Sequence, residues 1–144
     1  MTKIDNFFES IKDKKVAFCG LGISNFPVME MFVNKGIDVT ACDRRNFEDL
    51  GDNAKKAEEL GVKLSLGDNY LKNLDVDIVF RTPGMKYYMD ELVEMRSRGV
   101  VVTSEMELFF ELADCHIIAV TGSDGKTTTT SIVSEFLKAA GKKV

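Results

Sequence analysis

The chain has 144 residues, of which 44% are hydrophobic and 29% are charged, so it can bury the core of one ordinary domain. Its 19 basic and 23 acidic side chains give a net charge of −4, which disfavours a general nucleic-acid binder. The N-terminal stretch has the pattern of an amphipathic helix and no apolar run approaches the roughly 18 residues of a membrane span, so we expect neither signal peptide nor membrane anchor. The three cysteines favour buried free thiols in a reducing cytoplasm.

Short apolar runs alternate with helical patterns along the chain. After an N-terminal helix within 1–15, the pattern predicts strands at 15–19, 37–42, 62–66, 76–80, 100–103 and 116–120, and helices at 25–35, 53–60, 90–98, from 104, and at 126–140. Ser104 followed by Glu107 is typical of a capping box at the start of one helix. The alternation predicts an α/β fold with a Rossmann-like, doubly wound, mostly parallel sheet of about five strands.

A glycine-rich turn follows the first predicted strand and opens a helix. Gly20 and Gly22 allow backbone N–H groups to approach a diphosphate, although the third position of the dinucleotide fingerprint is Asn25. Asp43 ends the second predicted strand, 21 residues beyond Gly22, where an acidic residue often contacts a ribose hydroxyl. This pattern favours nucleotide binding over a turn without ligand, but it does not separate NAD from a UDP-sugar.

Two further turns extend this candidate site. Arg44 and Arg45 follow Asp43, and either can meet a phosphate or a base carbonyl. Thr82, Pro83 and Gly84 follow the fourth predicted strand, and parallel sheets bind ligands at the carboxyl ends of their strands. An ordinary turn explains Thr82–Pro83–Gly84 equally well when it is taken alone.

A phosphate-binding loop, Thr-Gly-Ser-Asp-Gly-Lys-Thr-Thr, occupies residues 121–128 between an apolar run and a helix. Gly122 and Gly125 free the backbone to wrap a phosphate, and Lys126 supplies a positive charge to the β- and γ-phosphates. Thr127 offers a hydroxyl to Mg²⁺, and Thr128 adds a further polar contact. The standard loop has a glycine at the position of Val120, so this sequence carries a variant of it.

Together these motifs resemble the Mur ligases, most closely the branch that adds D-glutamate. The residues that carry the resemblance, in the family's order, are Gly20-Leu-Gly-Ile-Ser24, Asp43-Arg-Arg45, Thr82-Pro-Gly84, Thr103-Ser-Glu105 and the loop at 121–128. Asn25 replaces the usual glycine, and Thr82 replaces the usual serine. The resemblance implies a UDP-binding domain at 1–114 and the start of a central ATPase domain at 115–144.

The same resemblance implies a reaction and its partners. An intact ligase would use ATP and Mg²⁺ to join D-glutamate to UDP-N-acetylmuramoyl-L-alanine through an acyl phosphate, as a cytoplasmic and monomeric enzyme of peptidoglycan synthesis. Lys126 and Thr127 would stabilise charge on the transferred phosphoryl group. The residues expected to hold UDP are Gly22, Ile23, Ser24, Asn25, Asp43, Arg44, Arg45, Thr82, Pro83 and Gly84. The residues expected to hold ATP and Mg²⁺ are Gly122, Ser123, Asp124, Gly125, Lys126, Thr127 and Thr128.

Other functions remain open at this point. An NAD-binding dehydrogenase domain explains Gly20, Gly22 and Asp43 but leaves the loop at 121–128 without a purpose. Two further alternatives are another member of the Mur ligase family and a nucleotide-binding module without chemistry of its own. We expect the family's remaining catalytic groups to lie beyond Val144, so this chain alone is predicted to be inactive. The predicted strand at 117–120 is expected to seek a partner, for example in a second copy.

Overall fold

The computed structural model describes residues 2–22 and 25–144 of the chain. This part divides into two compact units, Met1–Ala113 and Asp114–Val144. The first unit holds a sheet and most of the helices, and the second holds one helix and the loop that precedes it. Each unit is described by itself.

The first unit alternates strands and helices in the order that the hydrophobic pattern predicts. Its strands are β1 (Lys15–Cys19), β2 (Asp38–Asp43), β3 (Lys63–Leu66), β4 (Ile78–Phe80) and β5 (Val101–Thr103). Its helices are α1 (Lys3–Ile11), α2 (Phe26–Asn34), α3 (Phe47–Leu50), α4 (Asp52–Glu59), α5 (Asp90–Ser97) and α6 (Glu105–Leu112). The short helix α3 was not predicted, because its four residues carry no periodic pattern.

The five strands form one parallel sheet with the order β3-β2-β1-β4-β5. This confirms the predicted fold class. Residues 16–19 of the central strand β1 are at most 1% exposed, because helices cover both faces of the sheet. The order reverses at β1, with β2 and β3 on one side and β4 and β5 on the other. Parallel sheets bind ligands at such a reversal, outside the carboxyl ends of the strands.

Alternate residues of β1 supply the two halves of the core. Val16 and Phe18 belong to a large apolar cluster, while Ala17 and Cys19 belong to a second cluster that contains Leu92. In the larger cluster the ring of Phe18 stacks on Phe80 with centroids 4.6 Å apart, and Phe32 meets both rings edge-on. Burying one such side chain stabilises the fold by about 1.5 to 3 kcal/mol, so this ring cluster anchors α2 on the sheet.

The cysteines are free thiols, but only two of them are buried. Cys19 and Cys42 are paired neighbours on β1 and β2. Burial raises the pKa of the Cys19 thiol to about 12, and it raises the pKa of Cys42 as well. Both are therefore unreactive at neutral pH. Cys115 is exposed, because the second unit has no core in which to bury it.

The capping box predicted at α6 is only half formed. The Ser104 hydroxyl accepts a hydrogen bond from the backbone N–H of Glu107 at 3.3 Å, as expected for an N-cap. The Glu107 carboxylate accepts hydrogen bonds from the Thr103 hydroxyl at 2.9 Å and from Arg81 at 3.5 Å. Glu107 therefore joins the ends of β4 and β5.

The second unit contains α7 (Lys126–Ala139), none of whose residues is buried. The strand predicted at 116–120 does not form; these residues carry no regular secondary structure. A strand requires a neighbouring strand for its backbone hydrogen bonds, and the described residues of this unit provide none. Across residues 2–22 and 25–144, no helix combines the length and apolar character needed to cross a membrane.

Candidate nucleotide-binding site

The glycine turn after β1 packs tightly against the turn after β4. Gly20 has a φ of 91°, a left-handed conformation that glycine adopts without strain. A Cβ atom at Gly20 would lie 2.9 Å from Cγ2 of Thr82, too close for an ordinary contact. Gly22 is exposed, and a Cβ there would meet nothing within 4 Å. Gly20 is therefore required for packing, while Gly22 leaves its backbone open to a ligand.

Asn25 holds the turn from inside the protein. It is 6% exposed, and its Nδ2 donates hydrogen bonds to the carbonyl oxygens of Cys19 at 2.8 Å and Gly20 at 2.7 Å. Its backbone is right-handed, with φ −78°, so the position does not need glycine. The structure thus places Asn25 as a brace for the turn. Ile23 and Ser24, also expected at the ligand, lie outside the described residues.

Asp43 links the turn after β1 to the turn after β2. Its Oδ2 accepts hydrogen bonds from the backbone N–H of Leu21 and from Nη2 of Arg45, both at 2.9 Å. Its Oδ1 accepts from the backbone N–H and the Nε of Arg45, at 2.9 and 3.1 Å. Four donors therefore surround a carboxylate that is 7% exposed.

These contacts fix the charge of Asp43. Burial by itself raises the pKa of a carboxyl, but the hydrogen bonds from Arg45 and Leu21 outweigh it, so the pKa of Asp43 lies below its ordinary value. The hydrogen bond to Asp43 in turn raises the pKa of Arg45. The pair is therefore ionised at neutral pH, with the carboxylate inside and the cation outside.

Arg45 presents its side chain to solvent while Asp43 holds it. The Arg45 side chain is 52% exposed, against 8% for that of Asp43. The two carboxylate oxygens of Asp43 accept hydrogen bonds from Nε and Nη2 of Arg45, and this bidentate contact orients the plane of the guanidinium group. Arg44 is exposed beside it. Arg45 is thus the oriented cation that a ligand at this edge of the sheet would meet.

The turn after β4 is a β-turn closed by a hydrogen bond from the N–H of Met85 to the carbonyl of Thr82, at 3.0 Å. Pro83 and Gly84, its two central residues, are exposed. Because β4, β1 and β2 are neighbours, this turn lies on the same edge of the sheet as Gly22 and Asp43. A cavity of about 430 Å³, lined in part by Asn73 and Val100, lies at the opposite edge of the sheet, away from all three turns.

The loop at 121–128 in the second unit leads directly into α7 (Lys126–Ala139). Gly125 is left-handed, with φ 74°, and caps the N-terminus of α7. The Nζ of Lys126 donates hydrogen bonds to the carbonyl oxygens of Gly122 at 2.6 Å and Ser123 at 3.1 Å. Thr127 and Thr128 lie in the exposed first turn of α7. These residue types and this geometry fit a magnesium-bound triphosphate.

Sequence patterns did not predict two residues, Asn53 and Gly67, that contact the turns after β1 and β2. Asn53 of α4 donates from Nδ2 to the carbonyl of Leu21 at 3.2 Å. The N–H of Gly67 donates to the carbonyl oxygens of Asp43 and Arg45, at 3.0 and 3.3 Å. Asn53 and Gly67 lie far from the turns in sequence and belong to no motif. Only the folded arrangement brings them to the site.

Curated relatives match nearly the whole chain. Each is named UDP-N-acetylmuramoylalanine–D-glutamate ligase. The protein from Acetivibrio thermocellus is 46% identical over 143 residues, which are 99% of this chain and 31% of that protein. Those from Ruminiclostridium cellulolyticum and Clostridium beijerinckii are each 45% identical, over 98% and 96% of this chain and 30% and 31% of their own lengths. The chain thus spans about a third of the length of these relatives.

Solved structures of related ligases share the fold. A murein peptide ligase from Psychrobacter arcticus superposes with a TM-score of 0.57 at 27% identity, over 89% of this chain and 27% of that one. The UDP-N-acetylmuramate–alanine ligase MurC from Thermotoga maritima gives a TM-score of 0.52 at 27% identity, over 87% of this chain and 29% of that one. No family model matches the chain.

Proposed function

We propose that the chain forms the nucleotide-binding part of a D-glutamate-adding Mur ligase, because it matches such ligases at 45 to 46% identity over almost its whole length. The intact enzyme would join D-glutamate to UDP-N-acetylmuramoyl-L-alanine in an ATP-dependent reaction. The first unit binds the UDP moiety of that substrate. The second unit contributes the phosphate loop for ATP.

The UDP site lies across the ends of β2, β1 and β4. The diphosphate approaches the open backbone at Gly22, near the N-terminus of α2, whose dipole favours anions. The nucleoside extends towards the end of β2, where Arg45 donates to it. The observation that carries this proposal is the four-donor arrangement at Asp43, which holds the glycine turn and Arg45 together in one rigid edge.

The same observation argues against NAD as the ligand. In NAD-binding folds the acidic residue at the end of β2 accepts hydrogen bonds from the adenosine ribose. Here each carboxylate oxygen of Asp43 already accepts two hydrogen bonds from Leu21 and Arg45. A ribose diol would have to displace one of those donors. We therefore assign Asp43 the task of positioning Arg45 and the turn.

We assign the second unit to ATP and Mg²⁺. Lys126 contacts two carbonyl oxygens of its own loop, and exchanging these for phosphate oxygens requires only a side-chain movement. Gly122 and Gly125 would allow the loop to surround the phosphates, and the Thr127 hydroxyl would bind Mg²⁺. When bound, ATP supplies the phosphoryl group that activates the substrate carboxylate for attack by the amine of D-glutamate.

Titration calorimetry with UDP and with NADH tests the nucleotide assignment. We expect the chain to bind UDP saturably and NADH not at all. Arg45→Met should weaken UDP binding about tenfold, because one hydrogen bond from a charged group contributes about 1.5 kcal/mol or more. Arg98→Met is the matched control. Arg98 follows α5 at the other edge of the sheet, where it pairs with Glu94, and its replacement should leave UDP binding unchanged.

Saturable NADH binding without UDP binding would overturn the proposal in favour of a dehydrogenase domain. Binding of UDP that Arg45→Met leaves unchanged would refute the role of Arg45 alone. We also expect no ADP release by this chain when it is mixed with ATP, D-glutamate and the UDP-linked substrate. Turnover under those conditions would contradict the proposal that the reaction needs catalytic groups in addition to those of this chain.

A further inference from the structure

The side chain of Glu107 makes its contacts outside the helix that carries it. Its carboxylate accepts hydrogen bonds from the Thr103 hydroxyl at 2.9 Å and from Nη2 of Arg81 at 3.5 Å. In a complete capping box it would instead accept from the backbone N–H of Ser104. The Ser104 hydroxyl caps α6 through the backbone N–H of Glu107, a contact that any side chain at this position would keep. The start of the helix therefore does not depend on the Glu107 carboxylate.

Arg81 connects Glu107 to the turn after β4. It directly precedes the turn Thr82–Pro83–Gly84. Its backbone N–H donates to the carbonyl oxygen of Thr103 at 2.9 Å, and its guanidinium carbon lies 5.7 Å from the centre of the Tyr87 ring. The side chain of Arg81 is only 18% exposed. The position at which the turn begins is therefore set by Arg81, whose guanidinium group is held in part by Glu107.

The turn after β4 in its turn supports the glycine turn after β1. A Cβ atom at Gly20 would lie 2.9 Å from Cγ2 of Thr82, so the two turns are in close contact there. Gly22, at which the diphosphate is proposed to bind, lies two residues beyond this contact. A displacement of the turn after β4 must therefore shift the glycine turn or open a gap beside it.

We propose that Glu107 is a positioning residue of the nucleotide site. By holding Arg81 it keeps residues 82–84 packed against the glycine turn, so the backbone at Gly22 is already ordered when a diphosphate arrives. A site that is ordered before binding loses less free energy when the ligand binds. Glu107 itself touches no ligand. This inference rests on the UDP site proposed above.

Calorimetric titration with UDP of variants at Glu107 tests the proposal. Glu107→Leu should weaken UDP binding about fivefold, because a loosened turn must be ordered again when the ligand binds. Glu107→Gln keeps an oxygen that accepts from the Thr103 hydroxyl and from Arg81, so its affinity for UDP should stay within about twofold of the unmodified chain. Glu111→Leu is the matched control, since it removes an exposed carboxylate from the same helix and should leave UDP binding unchanged.

A double-mutant cycle shows whether Glu107 acts through Arg81. Arg81→Met should weaken UDP binding about as much as Glu107→Leu does, and adding Glu107→Leu to it should weaken binding by less than about twofold further. All affinities are measured well below the midpoint of thermal unfolding of each variant. A purely structural role of Glu107 would lower that midpoint and leave the dissociation constant of the folded chain unchanged.

The outcomes separate this inference from the nucleotide site on which it rests. Absence of UDP binding by the unmodified chain would refute the site and the inference together. Normal UDP binding that Glu107→Leu leaves unchanged would refute the role of Glu107 alone, and fully additive effects in the cycle would refute the path through Arg81. If Glu107→Leu does not fold, Thr103→Val removes the hydroxyl that holds Glu107 and should weaken UDP binding about twofold to threefold; an unchanged affinity would then refute the proposal.

Discussion

Replacing Asp43 by asparagine should loosen the edge of the sheet that carries the nucleotide site. Asparagine keeps one acceptor oxygen and replaces the other with an NH₂ group, which faces a donor of Arg45 or Leu21. The hydrogen bond from the N–H of Leu21 is buried, and leaving that group without an acceptor costs about 1 to 3 kcal/mol. The ion pair adds less, about 0.2 to 1 kcal/mol, because the Arg45 side chain is half exposed. The expected loss of unfolding free energy at pH 7 is therefore about 1 to 4 kcal/mol.

Acid should abolish this difference. The pKa of Asp43 is lowered by folding, so the unfolded chain binds the proton more tightly than the folded chain does. The stabilisation by Asp43 is therefore complete above the unfolded pKa of about 3.9 and is lost as the pH falls through the lower folded value. Urea unfolding of both proteins, followed by circular dichroism at pH 7 and at successively lower pH, measures the difference.

Asp38→Asn is the matched control, because Asp38 begins the same strand that Asp43 ends. Its carboxylate pairs with Lys63 at 2.6 Å, but both side chains are largely exposed, and the expected loss is below about 1 kcal/mol. Equal stability of Asp43→Asn and the unmodified chain at pH 7 would refute the reasoning. So would a difference that stays constant well below pH 3.9, since a structural effect unrelated to the charge would not titrate.

Two further substitutions probe the glycine turn and the phosphate loop. Gly20→Ala forces a Cβ to within 2.9 Å of Thr82 at a φ of 91°, so it should lower the free energy of unfolding by about 1 to 3 kcal/mol. Gly22→Ala is the control and should change the free energy of unfolding by less than about 0.5 kcal/mol. Similar thermal unfolding of the two variants would contradict this. Lys126→Met should weaken binding of a fluorescent ATP analogue with Mg²⁺ more than tenfold and leave UDP binding unchanged, while Lys138→Met, which removes an exposed partner of Glu135, should affect neither. Retention of ATP binding by Lys126→Met would refute the loop assignment.

Local patterns predicted the fold because the strands of a buried parallel sheet are continuous apolar runs in the sequence. β1 has the predicted bounds, and α2, α4 and α5 each end within one residue of the predicted position. The run at 116–120 is equally apolar, yet it forms no strand. Whether such a run becomes a strand depends on a partner strand elsewhere, and a local pattern carries no information about that partner.

The sequence predicted where the candidate site residues lie in the fold, but it did not predict their contacts. Sequence spacing correctly suggested that Asp43 lies at the edge of the sheet near the glycine turn. It also suggested a carboxylate turned to a ribose, whereas the carboxylate is occupied by Leu21 and Arg45. These hydrogen bonds depend on how two loops meet in space, which the spacing of motifs does not encode.

Asn25 departs from the glycine of the dinucleotide fingerprint, yet it still holds the helix close to the strand. The fingerprint places glycine at this position so that helix and strand can pack closely. Here the side chain of Asn25 instead ties the helix to the carbonyl oxygens of Cys19 and Gly20, while Asp43 and Asn53 hold the N–H and the carbonyl of Leu21. Side chains from three elements thus fix the turn before any ligand binds. A diphosphate that meets such a turn loses less free energy in ordering it, so the bracing of this turn favours affinity directly.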